Sequence, residues 1–165
     1  MRSTALAQIP VGVVVERRKA KSKWTDFLWR PVSVLAGQTS AAPWTPLDAE
    51  AETALFFAGE AVIDLHRTET VNYRENIWSG APTLWVALRQ VGMEPGYEIL
   101  AVTADPSEGE AFTDAGSYIV EAVPMPGDVA EAIGRFIAEH HVERPFVKRR
   151  RQPTTVCGEE RGNGK

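Results

Sequence analysis

TLWVALRQVGMEPGYEILAVTA, residues 83–104, is the stretch on which the fold class turns. Two apolar runs, TLWVALRQV and YEILAVTA, carry the aromatic and β-branched residues that favour strands, and the segment between them is punctuated by Gly92, Pro95 and Gly96. No helical pattern lies in that connection, so it cannot serve as the crossover a parallel pair requires. The two strands are therefore expected to run antiparallel.

Working outward, the upstream chain repeats the theme. Val11, Val13 and Val15 alternate before ERRKAKSK, and WTDFLWRPVSVLAG ends on a glycine, which predicts two strands connected by the basic segment Arg17–Lys23. Residues 37–52, with Pro43 and Pro46, have loop composition. In TALFFAGEAVIDLHRTETVNYRENIW, residues 53–78, the runs at Leu55–Phe57 and Ala61–Leu65 flank Ala58-Gly59-Glu60 and predict a hairpin. Thr68–Thr70 then predicts a turn or a short helical approach to Val71, Tyr73 and Ile77.

The helical signals come late. Asp105 as N-cap, Pro106 at the first helical position, Glu108 and a closing Gly116 predict a short helix over 106–115. After the strand-like YIVEAVPMP, Val129, Ile133, Phe136, Ile137 and His140 share one face of a helix over 127–142, stopped by Pro145. These readings define an α+β fold: a mostly antiparallel curved sheet or small barrel of six to eight strands, covered or plugged by the C-terminal helix. Residues 8–147 form the expected single globular domain, and 148–165 a flexible basic and polar tail.

A chain of 165 residues suits one domain and buries enough surface to fold without disulfides or a structural metal. Its apolar runs fall short of the ~20 residues a membrane span needs, and its first residues lack a signal-peptide core, so a cytoplasmic protein with no membrane contact is expected. Cys157 is the single cysteine, which excludes an intramolecular disulfide. The net charge of −4 conceals a partition: residues 31–143 hold 4 basic residues against 18 acidic ones, so the two ends carry the positive charge.

Asp64, His66, Arg67, Glu69, Tyr73, Arg74 and Glu75 form the densest polar cluster. As a ligand site, His66 would act as base or ligand, Arg67 and Arg74 would hold an anion, and Tyr73 would line it. The competing reading makes the same residues the wet side of a strand and the turn after it. No nucleophile motif and no phosphate-binding glycine loop accompanies them. His140 and His141 point about 100° apart on a helix, which suits capping or packing better than a shared metal; no metal site and no cofactor is expected. Trp24, Trp29, Trp78 and Trp85 are read as core rings, whereas Trp44, in the proline-bearing loop, is equally suited to an exposed contact. Lys148, Arg149, Arg150 and Arg151 would attract an acidic protein partner; the acidic body of the chain disfavours nucleic acid.

VGVVVERR, WTDFLWRPVSVL, LHRTETVNYREN, AVTADPSEGEAFTDAG, IVEAVPMP and HHVERPFVKRRR together resemble the bacterial domain of unknown function 3305 family, over about residues 10–151 with loop 37–52 outside the match. The family carries no assigned activity and no catalytic residues to transfer. Its genes often neighbour those for formate dehydrogenase, so the resemblance implies an accessory role in assembling or handling that molybdoenzyme. The expected function is that of a non-enzymatic accessory or adaptor protein binding a protein partner, such as a formate dehydrogenase subunit or assembly factor. The alternative is a small-ligand-binding protein or enzyme using the cluster from His66 to Arg74.

Overall fold

The computed structural model describes residues 5–141. Seven strands, β1 (Ala7–Lys19), β2 (Phe27–Ala36), β3 (Thr45–Ala49), β4 (Thr53–Leu65), β5 (Thr83–Gln90), β6 (Tyr97–Thr103) and β7 (Ile119–Pro124), accompany three α-helices, α1 (Thr70–Ile77), α2 (Pro106–Ala115) and α3 (Gly127–His140). The strands form two antiparallel sheets, ordered β2-β1-β4-β3 and β6-β5-β7. β5 and β6 pair as the stretch 83–104 predicts. The α+β class and the strand count stand among the described residues, but the strands are divided: β2 lies against β7 and β4 against β6, yet no ladder among these residues joins the sheets into a barrel.

Val11, Val13 and Val15 of β1, Ile63 and Leu65 of β4, and Leu84, Val86 and Leu88 of β5 are buried between the sheets. Period-two alternation sends them inward, and burying such side chains contributes about 1.5–3 kcal/mol apiece. α3 adds Val129, Ile133 and Phe136, with Ile137 partly buried, as its spacing predicts. It packs on α1 and on the start of β1, closing one end of the core. β1 is 13 residues long, roughly 35–40 Å, so its far end, at the β1–β2 hairpin, is remote from α1 and α3.

Four local expectations are corrected. Residues 53–65 are one strand, not a hairpin. Gly59, at φ 139°, lies beside a bulge where Val13 pairs with Gly59 and Val14 with Phe57, leaving Ala58 extra. A glycine of positive φ serves a bulge as readily as a turn, and the long β1 supplies a partner for the whole of β4. Loop 37–52 contains β3, an edge strand that tolerates Pro46 because its outer side needs no ladder donor. Residues 70–77, where only a turn or a short helical approach is expected, form a full helix between β4 and β5. α3 ends at His140 rather than residue 142, with the His141 N–H capping onto the Ile137 carbonyl at 2.8 Å.

The expected caps of α2 are present. The Asp105 carboxylate accepts from the Ser107 N–H at 2.9 Å, and Gly116 takes the left-handed conformation at φ 75°. The reciprocal half of a capping box is replaced, because the Asp105 N–H donates to Thr103 Oγ1 at 3.0 Å.

Candidate functional site

α1 carries the polar cluster, and its sequence explains how the cluster is divided. Thr70, Tyr73 and Asn76, at a spacing of three, are its buried residues, so the inward face is polar and must be hydrogen-bonded. The Asn76 amide donates to the carbonyls of Thr83 at 2.7 Å and Ala104 at 2.9 Å, and its oxygen accepts from the Thr83 N–H at 3.0 Å. α1 is thereby tied to the start of β5 and the end of β6.

On one flank of α1, the Tyr73 hydroxyl accepts from the His66 backbone N–H at 2.9 Å. His66 and Tyr73 share a recess of about 480 Å³ with Thr68, Glu69, Asp105, Ser107 and Glu108. Burial, reinforced by the carboxylates of Asp105, Glu69 and Glu108, pushes the Tyr73 hydroxyl up to about 12. Asn72 bridges two of those carboxylates, donating to Glu69 and Asp105 at 3.1 Å each.

Arg74 faces elsewhere. It lies in a groove of about 410 Å³ between α1 and α3, lined also by Ile77, Trp78, Ile137 and His141. Its guanidinium sits 4.2 Å from the Trp78 ring centre, and its Nη1 is 3.0 Å from His141 Nε2. Arginine only donates, so Nε2 accepts and the ring proton sits on Nδ1, 2.9 Å from Thr70 Oγ1. His140 packs at a tilt against Phe136, with ring centres 4.6 Å apart.

Of the four residues of the alternative ligand site, His66 and Tyr73 are together, Arg74 lines a different cavity, and Arg67 is exposed in a short 3₁₀ turn between β4 and α1. Asp64 is on the wet face of β4, accepting from Gln8 at 2.8 Å. Lys148, Arg149, Arg150 and Arg151 lie outside the described residues.

The other end of the molecule holds a cluster of aromatic residues. Trp29 of β2 is edge-on to Trp44, with centres 5.7 Å apart, and packs against Phe56 at 5.6 Å and Tyr97 at 6.3 Å. Trp44 is thus half-buried in a cluster that extends the core. The Arg17 guanidinium lies 4.4 Å from the Phe27 ring centre and 5.2 Å from that of Phe56. Beyond the cluster the β1–β2 loop presents Trp24, which is 94% exposed, next to the 40% exposed Phe27. Trp24 and the 69% exposed Trp78 are therefore surface rings, not core rings; each sits beyond the end of an element, where no second layer covers it.

The cations of this loop were legible in the sequence as a connection, but their association with an exposed indole was not. Arg17, Arg18, Lys19, Lys21 and Lys23 fall within seven residues. Glu16 pairs with Arg18 at 3.5 Å and Arg30 at 3.1 Å, while Lys19, Lys21 and Lys23 are exposed. The loop is ordered by its own bonds: Ala20 N–H to the Asp26 carbonyl at 3.0 Å, Trp24 N–H to Ser22 Oγ at 3.1 Å, and Thr25 Oγ1 to the Phe27 carbonyl at 3.0 Å.

Among the described residues, two sheets, three α-helices, two separate cavities flanking α1 and a cationic, aromatic hairpin at the far end define an α+β protein with a distinct exposed surface feature. Residues 10–150 match the family described as protein of unknown function, DUF3305, and the chain belongs to that family. No curated protein and no solved structure matches it. Among the described residues, no helix is long and apolar enough to cross a membrane.

Proposed function

We propose that this protein is a non-enzymatic, cytoplasmic accessory protein that works by binding another protein at its β1–β2 hairpin end. The observation that carries the reading is the exposure of Trp24, at 94%, on a hydrogen-bonded loop beside Phe27 and several cations. A large ring held in water is the kind of residue that anchors interfaces, and a preformed loop loses little entropy on docking. The division of His66 and Arg74 between two cavities supports the same reading, since an anion site would need them convergent. A formate dehydrogenase subunit or assembly factor is the proposed partner, on the strength of the family's gene neighbourhood.

The test is a binding titration of purified formate dehydrogenase subunits and assembly factors against wild type and Trp24→Ala. Binding at micromolar concentration that Trp24→Ala weakens supports the proposal. Absence of binding, together with tight retention of a small anion that is lost on His66→Ala or Arg74→Ala, replaces it with the ligand-site reading.

A further inference from the structure

We infer that the β1–β2 hairpin end takes an acidic polypeptide segment bearing an apolar side chain, an inference that rests on the proposed function and specifies the chemistry of the partner. Within the hairpin itself cations exceed carboxylates: residues 16–30 contain Arg17, Arg18, Lys19, Lys21, Lys23 and Arg30 against Glu16 and Asp26. Glu16 is already committed to Arg18 and Arg30, and Arg17 to the aromatic faces of Phe27 and Phe56. The cations left facing solvent are Lys19, Lys21 and Lys23, directly before Trp24. Carboxylates are their complement, and an apolar side chain is the complement of Trp24 and Phe27.

The surroundings favour a polypeptide over a nucleic acid. The β3–β4 turn brings acidic residues to the same end: the Lys19 N–H donates to the Glu52 carbonyl at 2.8 Å, and Asp48 and Glu50 precede it on and after β3. A phosphate backbone, charged at every step, would run into these carboxylates, whereas a polypeptide can place its acids opposite the lysines alone. Successive bases also need several open ring faces. Trp29, Trp44, Phe56 and Tyr97 pack on one another and Arg17 lies over Phe27, which leaves Trp24 as the most exposed ring of this end.

Three labelled probes separate the possibilities by fluorescence anisotropy: a short Glu-rich peptide with one central Phe, the same peptide with Gln in place of Glu, and a single-stranded oligothymidine. The acidic peptide is expected to bind the full chain, and at least tenfold more weakly in Lys19→Gln/Lys21→Gln/Lys23→Gln and at high salt. Trp24→Ala is expected to speed its dissociation by a similar factor, and the Gln peptide and the oligonucleotide to bind more weakly than the acidic peptide. These positions are exposed, so the variants fold. Tighter binding of the oligonucleotide, equal binding of the Gln peptide, or acidic-peptide affinity unchanged in both variants overturns the inference, as does absence of binding. If a purified partner protein binds in a Trp24-dependent way but the acidic peptide fails to compete, this inference falls while the proposed function stands.

Discussion

Tyr73 sits where three influences meet. Its ring is buried against Phe136, with centres 6.2 Å apart, its hydroxyl receives the His66 N–H, and the carboxylates of Asp105, Glu69 and Glu108 lie around it. Ionising it would place a negative charge in a buried, already negative setting, so the folded state holds the proton to about 12, against an ordinary value of 10.0. The folded value is raised, so the contribution is fully present below pH 10 and is lost as pH rises from there through about 12. Tyr73→Phe is expected to flatten this part of the stability profile, measured as chemical-denaturation midpoints of the two proteins from pH 8 upward. Parallel profiles would mean that the hydroxyl does not titrate differently on folding.

At the scale of elements, two helical glycines make opposite demands. Gly109 of α2 lies flush on Trp85 of β5, where a Cβ would fall on the indole ring; the helix could not keep its distance from the sheet with any larger residue. Beyond its own helix backbone and chain neighbours, Gly134 of α3 has no heavy atom within 4 Å of the position a Cβ would occupy. Gly109→Ala is therefore expected to destabilise in spite of alanine's better helix propensity, and Gly134→Ala to stabilise by roughly 0.5–1 kcal/mol. Thermal unfolding of the two variants checks both signs. Phe136→Ala, which empties the contact between α3 and Tyr73, is expected to cost roughly 3–5 kcal/mol; an unchanged melting temperature would place that face outside the core. α3 was legible because its apolar residues recur on one face, and α2 because its caps are encoded locally. α1 was legible only as a turn or a short helical approach, since its inward face is Thr70, Tyr73 and Asn76, and the partners that satisfy them lie on β5, β6 and at His141. β4 was misread for the same reason: Gly59 looks like a turn until β1 is seen to pair along both sides of it.

At the scale of the molecule, charge and exposed rings are distributed along the long axis of β1. α1 and α3 occupy one end, where the polar cluster is split between two cavities, and the cationic hairpin occupies the other. The candidate site was half visible in the sequence. A basic connection between two strands could be read directly, but whether Trp24, Trp29 or Trp44 faced solvent depended on sheet register, which set Trp29 opposite Arg17 and left Trp24 beyond the last paired residues. Because the two ends are remote, substitutions at one should not alter binding at the other. The most direct measurement is the affinity of a purified formate dehydrogenase subunit or assembly factor for wild type, Trp24→Ala and His66→Ala, compared in one titration series. The account predicts that Trp24→Ala weakens binding at least tenfold while His66→Ala leaves it unchanged; weakening by His66→Ala with Trp24→Ala neutral would contradict it.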